Sequence, residues 1–147
     1  MNLRFGLDLV PVASVAESLA DQGSRYVDRI YTRGEIADSQ GAHGIDPRRL
    51  AERFAVKEAT LKILPLVDEG LDFRSIELVC EPAGRLGVAL HGRAAEIAES
   101  AGIGHIAVSV TRDARLAAAV VAAEVTAEVA AGAGASDADD SPLPTTR

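Results

Sequence analysis

The sequence is poor in cysteine and aromatic residues and has no excess of basic charge. Its 147 residues include one Cys and no Trp, and aromatic residues make up 3%. A single Cys excludes an internal disulfide and a metal site built from several cysteines. Scarce aromatics and a formal net charge of −7 argue against a nucleic-acid surface, which is basic and offers stacking rings. Cys80 lies in an apolar run, which predicts a buried and inert thiol.

Long hydrophobic runs are also missing. No stretch reaches the length of a transmembrane helix, and the N-terminus lacks the apolar segment of a signal peptide, so we predict a cytoplasmic protein with no membrane partner. Hydrophobic residues make up 48% and charged residues 25%, as in globular proteins. We expect one domain over residues 1–129. Residues 130–147 are rich in Ala, Gly, Ser, Asp and Pro and are predicted to form a disordered acidic tail.

The predicted elements follow the order strand, short helices, long helix, hairpin, helix, hairpin. Apolar residues alternate along the first strand and define one buried face, at Leu3, Phe5, Leu7 and Leu9. Asp8 points to the opposite face. The last strand, 116–125, is almost continuously apolar, which predicts burial of both its faces. This order indicates an α+β fold with a largely antiparallel sheet and a long central helix packed across it.

The central helix is predicted to begin at Pro47, after the capping residue Asp46, and to end near Leu64, before Pro65. One apolar stripe follows from a spacing of about 100° per residue, with Leu50, Phe54, Leu61 and Leu64. Lys57 falls inside that stripe. A buried ammonium is costly unless it is paired, so Lys57 requires an anionic partner or an opening to a cleft.

The same helix is rich in charges at helical spacing. Glu58 and Lys62 are four residues apart, as are Arg53 and Lys57, so we predict a carboxylate flanked by three cations. Such a group suits a metal-bound polyphosphate. The alternative is a solvated helix face, because exposed ion pairs of this kind are common and weak. Asp8 follows a glycine near the end of its strand and is a further candidate metal ligand.

A second group of cations precedes the central helix. Arg25, Arg29 and Arg33 recur every four residues, and on a helix they would form a basic stripe for an acidic partner. Thr32 and Glu35 have the spacing of a capping box that opens another short helix.

Three sequence blocks resemble a known enzyme family. They are Gly-x-Asp-x-Val at residues 6–10, Arg-Ile-x-Thr-x-x-Glu at 29–35 and Arg-Phe-Ala-x-Lys-Glu-Ala-x-x-Lys at 53–62, followed by a closing strand at 108–111. Over residues 3–125 the sequence is similar to the holo-acyl-carrier-protein synthases, the small bacterial class of 4'-phosphopantetheinyl transferases. The resemblance implies their fold, with a largely antiparallel sheet packed against the long helix.

The resemblance also implies an activity and its residues. Members of this family transfer the phosphopantetheine arm of coenzyme A to a serine of an apo-acyl carrier protein, using Mg²⁺ and releasing 3',5'-ADP. By position, Asp8 and Glu58 would hold the metal, while Lys62, Lys57 and Arg53 would hold the diphosphate and the 3'-phosphate. Glu58 and Lys62 would be catalytic. A metal-bound water or an acid such as Glu58 would take the serine proton.

The resemblance further implies a homotrimer with its active sites between subunits. Because the basic patch is thin, the carrier could be a specialised fatty-acid or polyketide carrier. Ala107 and Arg112 stand where many members have histidines, and the loop at 65–70 lacks the usual glycines. These departures motivate an alternative, a non-catalytic relative that binds coenzyme A or a carrier protein without transfer. An unrelated structural or oligomerisation domain is the third hypothesis, against which the placement of Lys57 argues.

Overall fold

The computed structural model describes residues 2–66 and 70–126. The first half comprises β1 (Asn2–Pro11), α1 (Val12–Gln22), α2 (Ser24–Ile30), α3 (Arg33–Asp38), β2 (Gln40–Gly41), β3 (Gly44–Ile45) and α4 (Pro47–Leu61). The second half comprises a 3₁₀ turn (Phe73–Ser75), β4 (Ile76–Cys80), β5 (Leu86–Leu90), α5 (Gly92–Ser100), β6 (Ile103–Arg112) and β7 (Leu116–Val125). The predicted tail at 130–147 lies outside the described residues.

The main sheet has three antiparallel strands in the order β1-β7-β6, and α4 packs against it. β1 pairs with β7 along its whole length, from Asn2 opposite Val125 to Pro11 opposite Leu116. Two small hairpins, β2–β3 and β4–β5, complete the strands of the described region. The predicted α+β class, with antiparallel sheets and a long central helix, is confirmed. No helix within residues 2–66 and 70–126 has the length and apolar character needed to cross a membrane.

α4 begins where its caps predict. The Asp46 side chain accepts a hydrogen bond of 2.9 Å from the Arg48 amide, and Pro47 is the first helical residue. The helix ends at Leu61, slightly before the predicted end. α4 is buried around most of its circumference, so the prediction of a single apolar stripe was too narrow. Three of its fully buried side chains are small and allow close packing, at Ala51, Ala55 and Ala59.

The face of β1 that the alternation predicted to be buried is exposed. Its four large side chains are 46%, 66%, 56% and 61% exposed, at Leu3, Phe5, Leu7 and Leu9. Gly6 and Val10 on the opposite face are buried, and at Gly6 the absence of a side chain allows the strand to lie close to α4. The alternation of side chains along β1 thus predicted the two faces correctly, but the face predicted to be buried was the wrong one.

β7 also differs from its prediction. It alternates between a buried and a more open face, and Leu116 and Val120 are 46% and 42% exposed. With β1 it forms a continuous apolar surface, here named the outer sheet face: Leu3, Phe5, Leu7, Leu9, Leu116 and Val120. The prediction that β7 is buried on both sides was therefore wrong. The predicted burial of Cys80 was wrong too, because this residue ends the outlying strand β4 and is exposed.

Candidate active site

The end of α4 meets β1 through one ion pair. Lys62 Nζ lies 3.0 Å from Asp8 Oδ1 and donates a hydrogen bond of 2.5 Å to the carbonyl oxygen of Leu7. The side chain of Lys62 is 51% exposed and that of Asp8 is 19% exposed. The pair therefore lies at the rim of the core and is open to a ligand from solvent.

Gly6 makes this meeting possible. A Cβ atom at position 6 would lie 1.9 Å from the carbonyl oxygen of Ala59, which is far inside van der Waals contact. Because the glycine has no side chain, β1 can lie directly against α4. That contact brings Asp8, two residues further along the same face of the strand, to the last turns of the helix.

Glu58 lies one turn before Lys62, whose amide donates a hydrogen bond of 3.3 Å to the Glu58 carbonyl. Partial burial raises the pKa of the Glu58 carboxyl group, the negative charge of Asp8 raises it further, and Lys62 opposes the shift. Asp8 and Glu58 are thus close enough to interact electrostatically. Two carboxylates beside one exposed cation supply oxygen atoms of the type that hard divalent ions take as ligands.

Lys57 lies on another side of α4. Its side chain is fully buried, and Nζ lies 2.7 Å from Glu35 Oε2. It also donates hydrogen bonds to the carbonyl oxygens of Phe73, at 2.9 Å, and Ile76. The predicted anionic partner of Lys57 is confirmed. The predicted contact of Lys57 with phosphate stays a prediction, and in this structure three buried partners occupy its three donors.

Glu35 joins three elements around that ammonium. Its side chain accepts hydrogen bonds of 3.0 Å from the amides of Leu78 on β4 and Thr32, and Thr32 in turn caps α3. The predicted capping box is confirmed. Sequence reasoning missed the pairing with Lys57, which is 22 residues away and leaves no local signal. Burial lowers the pKa of Lys57, and the Glu35 carboxylate opposes that shift.

Arg53 also faces away from Glu58 and Lys62. It is 8% exposed, and its guanidinium lies 3.7 Å from Asp38 Oδ2 on α3 and 3.6 Å from Glu52 Oε1. Glu52 forms a second ion pair with Arg112 at the end of β6. The prediction of one carboxylate flanked by three cations is therefore corrected. In the described chain Glu58 and Lys62 join Asp8, whereas Arg53 and Lys57 hold α4 to its neighbours.

Comparison with known proteins decides the family. Residues 4–121 match the model of the 4'-phosphopantetheinyl transferase superfamily. The chain belongs to this superfamily. A holo-acyl-carrier-protein synthase of Koribacter versatilis is 37% identical over 115 residues, covering 76% of this chain and 90% of the relative. The same enzyme of Edwardsiella ictaluri is 37% identical over 123 residues, covering 83% of this chain and 97% of the relative.

Solved structures of the superfamily share the fold. The Chronobacterium ammoniagenes ACPS–CoA complex superposes with a TM-score of 0.73 at 29% identity, covering 86% of this chain and 99% of that chain. The Mycobacterium tuberculosis acyl carrier protein synthase gives 0.63 at 33% identity, covering 83% and 96%. The predicted resemblance, fold class and enzyme class are confirmed: the chain is a phosphopantetheinyl transferase. The hypothesis of an unrelated structural domain is excluded.

The predicted basic stripe of this transferase is divided between two helices. Arg25 and Arg29 lie on α2, but α2 ends at Ile30 and Arg33 begins α3, so the three side chains share no helix. All three are exposed. A cavity of about 530 Å³ opens beside α2, and Arg29 and Arg74 both line it. Arg74 was missed because only the fold brings the 3₁₀ turn next to α2.

Proposed function

We propose that this chain is a cytoplasmic enzyme that transfers the 4'-phosphopantetheine arm of coenzyme A to a serine of an apo-acyl carrier protein, releasing 3',5'-ADP. The observation that carries the proposal is the Asp8–Lys62 pair, at 3.0 Å, with Glu58 one helical turn away. It combines anionic oxygens and a cation at one open site. Relatives that match over most of their length are holo-acyl-carrier-protein synthases, which supports the same activity.

The donor set fits Mg²⁺. This ion takes hard oxygen ligands and is usually bound by one or two carboxylates together with substrate phosphates and waters. Asp8 and Glu58 supply two carboxylates, and no cluster of three acidic, His or Cys side chains suitable for a metal occurs among residues 2–66 and 70–126. When bound, Mg²⁺ would neutralise charge on the diphosphate and on the departing 3',5'-ADP.

The chain's own residues then have distinct roles. In the reaction, a bond forms between the serine Oγ and the phosphorus that carries pantetheine, and the bond from that phosphorus to the bridging oxygen breaks. Lys62 would bind the diphosphate and stabilise the charge that develops on the leaving group. Either Glu58 or a water held beside it is the candidate acceptor of the serine proton.

The first test is the intact mass of an apo-acyl carrier protein after incubation with this protein, coenzyme A and Mg²⁺. We expect the carrier to gain one phosphopantetheine arm, and we expect EDTA to abolish the gain. Glu58→Gln should lower the rate by about 10²-fold or more, as loss of an electrostatic catalytic group does. Glu96→Gln makes the same change on an exposed part of α5 and should retain activity.

The outcomes separate the two candidate functions. Coenzyme A binding without modification of several carrier proteins would contradict transfer and support a non-catalytic relative. Arg112, at one of the positions that departs from the family, is the residue to examine in that case. It pairs with the buried Glu52 of α4 and so connects the end of β6 to the helix.

Glu58→Gln should also change stability. Because the folded protein raises the pKa of Glu58, its ionised form opposes folding at pH values above that pKa. The neutral amide removes this unfavourable contribution. We therefore expect the variant to be more stable at pH 8, by less than about 1 kcal/mol at this half-exposed position, and to melt at a slightly higher temperature. Below the unfolded pKa both side chains are neutral, and the difference should vanish. Thermal melts of the metal-free proteins at pH 8 and pH 4 measure it, and a lower melting temperature at pH 8 would contradict the expectation.

We also propose that the outer sheet face binds further copies of this chain, because the resemblance to the family implies a homotrimer. Two neighbouring strands expose six large apolar side chains there. An apolar patch of this kind on a soluble protein marks an interaction surface. Leu7 and Leu9 flank Asp8 on β1, so a neighbouring subunit on this face would lie close to the proposed active site.

The assembly can be tested with one charge. Phe5→Glu puts a carboxylate at the most exposed of these side chains, 66% exposed, and should convert a trimer to monomers because burying an unpaired charge is costly. Light scattering after size-exclusion chromatography measures the mass. Ala42→Glu places the same charge on the exposed turn between β2 and β3 and should leave the mass unchanged. A monomeric wild-type protein would refute the proposal.

The partner on the other side of the reaction is an acyl carrier protein. Carrier proteins of this family are acidic, whereas this chain has a net charge of −7. Docking must therefore use a local basic surface. Arg25 and Arg29, four residues apart on α2 and both exposed, are the proposed contacts, with Arg74 across the adjoining cavity.

A further inference from the structure

The contacts of Lys62 resemble those of a bound metal ion. Its ammonium group lies between two oxygen atoms of β1, the Asp8 carboxylate at 3.0 Å and the Leu7 carbonyl at 2.5 Å. Both are hard oxygen ligands of the type that divalent cations use. One of them, Asp8, is also a proposed metal ligand. The lysine and a metal ion therefore require the same carboxylate.

We infer that Lys62 is a stand-in cation: it neutralises Asp8 until a divalent ion takes its place, and it then moves to the phosphates of coenzyme A. This inference rests on the proposed function, because it assigns two successive positions to a residue of that site. It adds that Lys62 and the metal compete for the Asp8 carboxylate. As a consequence, the metal and coenzyme A affect each other's binding.

The structure supports a mobile Lys62. Its side chain is 51% exposed, and it is an unbranched chain with a compact terminal charge that reorients easily. By contrast, the buried ammonium of Lys57 is held by Glu35 and two carbonyl groups, at 0% exposure. Of these two lysines, only Lys62 can leave its partner without leaving a buried charge unpaired.

Because Lys62 and the metal compete for Asp8, the metal and coenzyme A bind cooperatively. A diphosphate attracts the Lys62 ammonium away from Asp8 and frees the carboxylate for the metal, while a metal on Asp8 repels the ammonium toward the phosphates. By thermodynamic linkage each ligand then strengthens the binding of the other by the same factor. Without coenzyme A, the metal must displace Lys62 alone, so its affinity is reduced.

The test is Mn²⁺ binding to the full chain without coenzyme A, followed by isothermal titration calorimetry or by the free Mn²⁺ signal in electron paramagnetic resonance. We expect Lys62→Met to bind Mn²⁺ about tenfold more tightly than the wild type, within the usual range of coupling between sites. Lys62→Gln should show the same direction and can still hydrogen-bond to Leu7. Equal or weaker binding by both variants would overturn the inference.

A matched control is available on α4. Arg48 forms an ion pair of 2.9 Å with Asp46 and is 55% exposed, close to the values for Lys62. Arg48→Met removes an exposed cation from an aspartate in the same way, and it should leave Mn²⁺ affinity unchanged. An equal rise in Arg48→Met would show that the gain reflects net charge alone, which would also overturn the inference.

Failure of the inference and failure of the proposed function give different results. If the wild type binds Mn²⁺ as tightly as Lys62→Met and still modifies the carrier protein, the competition is wrong and the transferase remains. If Asp8→Asn leaves Mn²⁺ binding unchanged with coenzyme A present, the proposed metal site is wrong, and the inference fails with it.

Discussion

Lys57→Met should destabilise the protein by about 3–5 kcal/mol, the usual cost of removing one partner from a buried ion pair. The methionine fills similar space, but it leaves the Glu35 carboxylate buried without its cation. It also removes the donor to the carbonyl groups of Phe73 and Ile76, which hold the 3₁₀ turn and β4 to α4. Urea denaturation, with the midpoint and slope fitted together, measures the loss.

Two further variants make this result specific. Arg48→Met removes an exposed cation from Asp46 and should cost less than about 1 kcal/mol. The double variant Glu35→Gln with Lys57→Met should lose less than the sum of the two single variants, because the second change removes the unpaired charge that the first one creates. A loss below about 1 kcal/mol for Lys57→Met would mean that the pair contributes nothing specific to stability.

Gly6→Ala should have a comparable effect and should also abolish activity. The added methyl group would lie 1.9 Å from the Ala59 carbonyl oxygen, so either β1 or α4 must move. Overpacking commonly costs about 1–3 kcal/mol. We expect this clash to reach or exceed the upper end of that range, because β1 is paired with β7 along ten residues and cannot shift easily. Because displacements of about 1 Å can cost about 10²-fold in rate, moving Asp8 away from Glu58 should remove most transfer activity.

Gly104→Ala is the matched control. This glycine lies on β6 of the same sheet, and apart from the glycine and its two chain neighbours no heavy atom lies within 4 Å of the position that its Cβ would take. We expect stability within about 0.5 kcal/mol of the wild type, as for most surface substitutions, and full activity. Unfolding curves and carrier modification should be measured on the same preparations. If both alanine variants behave alike, the close approach at Gly6 is not what positions Asp8.

Local patterns predicted the elements of this fold well. Asp46 with Pro47, and Thr32 with Glu35, lie at the starts of α4 and α3, because capping depends on neighbours within a few residues. Which face of a strand is buried depends on what packs against it. The large residues of β1 predicted burial, yet α4 packs on the face of Gly6, where it can approach most closely.

In the candidate site, too, local spacing predicted some features, whereas others depend on packing between distant segments. The spacing of Glu58 and Lys62 predicted that both lie on one face of the helix, and the family resemblance added Asp8, with which Lys62 forms its ion pair. The grouping with Arg53 failed, although the spacing itself argued against it: five residues turn a helix by about 140°, so Arg53 and Glu58 face different neighbours. The pairing of Glu35 with Lys57 arises from packing between distant segments, and no local pattern encodes it.

The alternation of β1 makes the length of this strand critical. Asp8 faces α4 and the proposed metal site, and its neighbours Leu7 and Leu9 belong to the outer sheet face, so each proposed role depends on the alternation of side chains along the strand. A single-residue insertion between Gly6 and Asp8 would turn the carboxylate outward and drive a leucine against α4. Substitutions in β1 can alter the proposed metal site and the proposed subunit contact separately, whereas such an insertion would change both at once. The spacing between Gly6 and Asp8 is therefore set by the alternation of the strand, and a change in that spacing is a larger change than any single substitution within it.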